Sequence, residues 1–204
     1  MHAFTFRHGS VPWPAGLTLL HVYALGEVTR SPGLAGLMAS CRQATAGEPL
    51  AHIAGDRLHV TLCQVAIPAP AIDAEQRSAI AAAIGRAAGA VPPFTMTVTE
   101  PTRVPTGVLC GIADGPLERV RWLVSEAARS VLGQQAVGGD GGPLHMSESY
   151  AYADADDARV DEELRAVRPR RATVPVDAVH LVDVSADQAT KAISWQPLAR
   201  IALG

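Results

Sequence analysis

Aromatic residues make up only 4% of the 204-residue chain, and charged residues only 18%. With 48% of residues apolar, so little charge excludes a disordered chain, because there is enough apolar surface to offset the entropy lost on ordering. A cationic excess is missing as well. The formal net charge of −3 argues against sequence-blind binding along a nucleic-acid backbone, but a nucleotide or a nucleic-acid end could still be held by a few local cations. The three cysteines, Cys41, Cys63 and Cys110, are odd in number and widely spaced. With no Cys-x-x-Cys pair among them, they fit a reducing compartment better than a disulfide framework or a structural zinc. No apolar run is long enough to span a bilayer. The opening Met1-His2-Ala3-Phe4-Thr5-Phe6-Arg7-His8 lacks the basic-then-apolar order of a secretion signal, so the expected location is the cytoplasm. There is no glycine-rich phosphate loop and no His-x-x-x-His or His-Glu-x-x-His spacing for zinc.

What is present is a mixture of strand and helix patterns. Residues 17–25 and 58–67 read as apolar strands, and residues 32–45 as a helix between them. Asp73 is placed to cap an alanine-rich helix that runs to Gly89. Phe94-Thr95-Met96-Thr97-Val98-Thr99 alternates strictly and reads as a strand, with residues 106–112 as its partner across a turn over residues 101–105. Leu117, Val120, Val124, Ala127 and Val131 recur at helical spacing. A glycine-rich loop at 138–142 precedes a short alternating run. Residues 156–167 read as a charged helix, 174–184 as a strand, and 193–203 as a final strand that Pro197 restricts to an edge or a bulge. Hairpin-length links favour α+β with antiparallel sheets over a doubly wound parallel sheet.

Two of the strands carry chemistry. Residues two apart on a strand share a face, so His59 and Thr61 project together, away from Leu58, Val60 and Leu62. In Leu144-His145-Met146-Ser147-Glu148-Ser149-Tyr150, alternation groups His145, Ser147 and Ser149 against Leu144, Met146 and Tyr150. An imidazole beside a hydroxyl, present twice, suits phosphodiester chemistry. One neutral imidazole takes a proton from water, a protonated one donates to the leaving alkoxide, and two hydroxyls donate to the non-bridging oxygens. No metal or other cofactor is needed for that scheme. A third match, His8-Gly9-Ser10, lies in a proline-flanked segment without alternation and is set aside. His21 and His180 lie in apolar runs, as core or cleft residues. His52 shows no companion nearby in sequence.

With His59-Val60-Thr61-Leu62 and His145-Met146-Ser147, the chain resembles the 2H phosphoesterase superfamily, and most of all its 2′-5′ RNA ligase-like (LigT-like) branch. The resemblance implies an α+β fold, one bilobal domain over residues 1–204, in which two antiparallel sheets face a central cleft with helices outside. It implies a metal-independent, cofactor-free enzyme that hydrolyses 2′,3′-cyclic or related phosphodiesters of a nucleotide or an RNA end. Transfer by position makes His59 and His145 the acid–base pair and Thr61 and Ser147 the phosphate donors. Trp13, Tyr150 and Arg103 are candidate substrate contacts. Cleavage or ligation of 2′-5′ RNA linkages, and binding of a phosphorylated ligand without turnover, are the alternatives. The chain departs from the pattern in having serine in the second motif. Glu148 also stands out, on a face expected to pack, where it would need a cationic partner such as an arginine.

Overall fold

The computed structural model describes residues 1–113, 115–138 and 142–204; residues 139–141 of the expected glycine-rich loop lie outside them. A small ribbon of β1 (Arg7–His8) and β2 (Val11–Pro12) turns at Gly9-Ser10, where the set-aside His8-Gly9-Ser10 triplet falls. The chain continues through β3 (Thr18–Leu25), α1 (Pro32–Ala44), β4 (Leu50–His52) and β5 (His59–Pro68). Next come α2 (Ala74–Ala88), β6 (Phe94–Val104), β7 (Gly107–Ile112), α3 (Pro116–Leu132) and β8 (His145–Ala151). It ends with α4 (Asp157–Arg165), β9 (Ala172–Val176), β10 (Ala178–Asp187) and β11 (Ala192–Ala202).

Among the described residues, nine strands form one antiparallel sheet in the order β11-β10-β3-β5-β8-β7-β6-β9, with β4 also pairing to β8. The sheet curls into a half-barrel, the expected α+β architecture. Its two halves meet at β5 and β8, where Val60 registers opposite Met146. β3 shows why both faces matter. Leu20, Val22 and Ala24 pack into the main core with α1 and α2, while Leu19 and Tyr23 face a second, aromatic cluster. Six of the nine aromatics, Phe4, Phe6, Trp13, Tyr23, Tyr150 and Trp195, gather in that cluster, so the scarce aromatic surface is concentrated on one side of the sheet.

Two of the helices, α2 and α4, start at an aspartate whose side chain caps them. Asp73 accepts from the Gln76 amide while the Gln76 side chain accepts from the Asp73 amide, closing a capping box at the start of α2. None of the helices formed by the described residues is long and apolar enough to cross a membrane.

Two strand boundaries differ from the sequence pattern. Pro101 lies inside β6, just past a register shift between Val98 and Pro101, and the turn to β7 is only Pro105-Thr106. A bulge lets a proline stay in a strand without breaking the ladder. The single strand expected over 174–184 is two, β9 and β10, separated at Asp177. There the chain leaves β6 and crosses to β3, and the Asp177 carboxylate is held by Arg30 and Arg200 at 2.8 and 2.9 Å. Pro197 does sit on an edge strand, beside a bulge.

Candidate active site

Val60 and Met146 are the middle residues of the two histidine motifs. Pairing them in antiparallel register sets His59 across from Ser147 and Thr61 across from His145. Both middle side chains are buried on the core side, so the residues flanking them share the opposite face. His59, Thr61, His145 and Ser147 accordingly line one cavity of about 180 Å3, together with His21, Tyr23, Gln64 and Tyr150.

Simple alternation does not account for Gln64 and Tyr150. Against β3, Val22 pairs with Cys63 and Tyr23 with Thr61, which leaves Leu62 as an extra residue. Against β7, Val108 pairs with Ser149 and Leu109 with Ser147, which leaves Glu148 extra. Each motif strand thus carries a bulge just after its hydroxyl residue, and a bulge reverses the facing of the residues beyond it. In both strands the fifth residue after the histidine, Gln64 or Tyr150, is swung into the cavity. This corrects the sequence grouping: Tyr150 joins His145 and Ser147, while Ser149 is buried with its hydroxyl unpartnered. Gly107 makes room for the β8 bulge, because a Cβ there would meet the Ser149 carbonyl oxygen at 2.3 Å.

The two histidines are tethered alike. The His59 Nδ1–H donates to the Arg57 carbonyl at 2.8 Å, and the His145 Nδ1–H to the Pro143 carbonyl at 3.0 Å. Each bond fixes a tautomer that leaves Nε2 for chemistry. Their surroundings differ. Tyr23 stacks on the His59 ring at 4.1 Å, and Trp195 meets it edge-on at 5.1 Å. Burial lowers the His59 pKa to about 4, the Arg57 hydrogen bond opposing and the neighbouring His145 charge adding to the fall. Charging it in this niche would remove a cation from water without an anionic partner.

A tyrosine stands by each hydroxyl on the cavity wall, Tyr23 by Thr61 and Tyr150 by Ser147. Burial raises the pKa of both phenols, so both stay protonated and able to donate. Behind Tyr23, His21 Nδ1 lies 2.9 Å from the phenol oxygen, while its Nε2 is buried without a partner. Burial, with the charge of His59 adding, lowers the His21 pKa to about 3. Tyr23 and Gln64 escaped sequence reasoning, since their roles depend on strand pairing. For His21 the structure selects the cleft-facing choice.

Of the other sequence candidates, Trp13 lines the cavity, with its indole N–H donating to the Leu17 carbonyl at 2.9 Å. Arg7 lines it as well. Arg103 does not: its guanidinium is clamped by Asp161 at 2.9 and 3.1 Å and by Asp157 at 3.0 Å, between β6 and α4. Glu148, only 1% exposed, finds its main partner in His52, whose Nδ1 approaches both carboxylate oxygens at 2.9 and 3.0 Å. The Arg42 Nε lies farther off, at 4.0 Å. The two residues that looked unpartnered in the sequence partner each other.

A second, larger cavity of about 540 Å3 opens beside the first, sharing Thr61, Gln64 and His145 with it. Its far wall is α3, through Glu118, Arg121, Trp122, Ser125 and Arg129.

No known family model matches the chain, and no curated protein sequence does. Solved structures do match. A phosphoesterase crystal structure aligns over 91% of this chain and 98% of its own, with 17% identity and a TM-score of 0.62. E. coli LigT complexed with 3′-AMP aligns over 92% and 98%, with 18% identity and a TM-score of 0.63. The chain has the phosphoesterase fold of these proteins. A protein of Thermus thermophilus aligns over 91% and 97%, with 17% identity and a TM-score of 0.67.

Proposed function

We propose that this chain is a 2H phosphoesterase that opens the 2′,3′-cyclic phosphodiester of a nucleotide or an RNA end without a metal. The observation that carries this reading is the Val60–Met146 pairing, which sets two histidine–hydroxyl pairs face to face in one cavity. His59, kept neutral by burial, is the general base: its Nε2 takes a proton from water as the water oxygen bonds to phosphorus. His145 is the acid. The P–O bond to the leaving ribose oxygen breaks, the electron pair goes to that oxygen, and His145 Nε2–H supplies its proton. The product is a phosphomonoester, and solvent then resets the two imidazoles.

Thr61 and Ser147 donate to the non-bridging oxygens as negative charge gathers there. His21, Tyr23 and Thr61 form one row along the cavity wall, with His21 Nδ1 2.9 Å from the Tyr23 hydroxyl, and Tyr150 and Ser147 form the other; the tyrosines hold the two hydroxyls in place. The phosphoesterase fold and the neighbour bound to 3′-AMP support a nucleotide substrate. The three free, buried cysteines accord with a reducing cytoplasm.

The decisive experiment is a panel of 2′,3′-cyclic nucleotides and RNA ends with cyclic phosphates, assayed with EDTA present. Conversion to a phosphomonoester in chelator is expected. Turnover that stops in chelator and returns with a divalent ion would overturn the proposal.

A further inference from the structure

The cavity between the histidines is small, so a nucleotide seated there extends beyond it. At about 180 Å3 it falls below the range of roughly 300–1,000 Å3 usual for small-molecule sites. Space for the remainder lies next to it: the cavity of about 540 Å3 that shares Thr61, Gln64 and His145 with the first.

The far wall of this cavity is a second stripe on α3. Its core stripe includes Leu117, Val120, Val124 and Ala128, whereas Glu118, Arg121, Trp122, Ser125 and Arg129 recur at helical spacing on the neighbouring face and line the cavity. Trp122 is 62% exposed, although its size and apolarity favour burial. Charge selects among occupants. Arg121 pairs with Glu118 at 2.8 Å and Arg129 with Glu126 at 2.6 Å, so each guanidinium here already faces a carboxylate. A wall with an open indole face and internally balanced charge suits a flat, neutral aromatic ligand better than a second phosphate.

Building on the proposed activity, we infer that the α3 cavity is a nucleobase subsite, with Trp122 stacking on the base of the nucleotide whose cyclic phosphate lies between His59 and His145. The enzyme then selects for a base and not merely for a strained phosphodiester ring.

The test compares adenosine 2′,3′-cyclic phosphate with methyl ribofuranoside 2′,3′-cyclic phosphate, which lacks the base, for the native protein and for Trp122→Ala and Trp122→Phe. Stacking on an aromatic side chain is worth about tenfold or more in affinity. The native protein should therefore prefer the adenosine substrate by about that factor in kcat/KM. Trp122→Ala should lose the preference and Trp122→Phe should retain most of it. The ratio should hold as salt is raised, because stacking is not screened. An unchanged ratio in Trp122→Ala, with both substrates turned over, overturns the subsite and leaves the phosphodiesterase intact. Calorimetric binding of adenosine 2′-monophosphate separates the two claims. If the native protein turns over neither substrate but binds this nucleotide more tightly than Trp122→Ala does, the activity is wrong and the subsite stands. Equal binding, or none, overturns the subsite too.

Discussion

β5 and β8 are built to the same local plan and placed in different surroundings. Each has a histidine tied through Nδ1 to the carbonyl two residues earlier, a hydroxyl residue two later, a bulge, and an inward-turned residue at the fifth position. Each hydroxyl has a tyrosine near it on the cavity wall. Yet His59 lies beneath Tyr23 and Trp195, while the less buried His145 stands where the two cavities meet. Backbone geometry makes the two halves equivalent as scaffolds, and burial sets the first apart by lowering the pKa of His59.

The largest effect expected from breaking this pairing comes from either histidine. His59→Ala and His145→Ala should each lower kcat by about 10²–10⁴-fold, with the circular dichroism of the folded protein unchanged. Full turnover in either variant would end the two-histidine scheme.

The next effect is on stability and belongs to β8 alone, because no described residue behind β5 matches the buried Glu148. His52→Ala leaves that carboxylate without its hydrogen-bond donor and should cost about 3 kcal/mol, seen as a lower urea midpoint. A loss within experimental error would mean that Arg42 satisfies Glu148 unaided.

The environment of His59 can be changed without touching its chemistry. Because the base must be neutral, kcat/KM should fall as pH drops through about 4, well below the ordinary histidine value of about 6.5. Trp195→Ala admits water to the ring, so the pKa rises and the acid limb moves upward. A limb that stays in place would show that Trp195 contributes nothing to the desolvation of His59.

The smallest effect tests the hydroxyl rows. Tyr23→Phe and Tyr150→Phe should each cost about tenfold in kcat, or about 1.4 kcal/mol, with little change in KM. If His21 positions the Tyr23 hydroxyl, His21→Asn, whose amide can sit near the Nδ1 position, should retain more kcat than His21→Leu. Equal losses in those two variants would reduce His21 to a packing residue.

How much of this was legible in the sequence depends on the range of the interaction. Helix α2 was readable because Asp73 and Gln76 cap each other across a single turn. The two motifs were readable because Leu58-His59-Val60-Thr61-Leu62 alternates on its own. The bulges at Leu62 and Glu148 were not, since an extra residue exists only relative to a partner strand. Alternation alone therefore puts Tyr150 on the wrong face and marks neither Tyr23 nor Gln64. His52 and Glu148 lie 96 residues apart, and nothing local marks either as the other's partner. Trp122 is hidden differently: the core stripe of α3 accounts for the helix by itself and leaves the face beside it unmarked.

The sheet order also has a consequence for how the protein is made. β3 and β5 precede β6–β9 in the chain, yet the strands that complete their half of the sheet, β10 and β11, follow them. During translation β3 therefore waits with one edge open while α1, α2 and the whole β6–β9 half emerge. Trp195, which closes over His59 and beneath the Arg57 guanidinium at 4.9 Å, arrives only with β11. A nascent chain therefore carries both histidine motifs before it holds the aromatic niche that desolvates the first one.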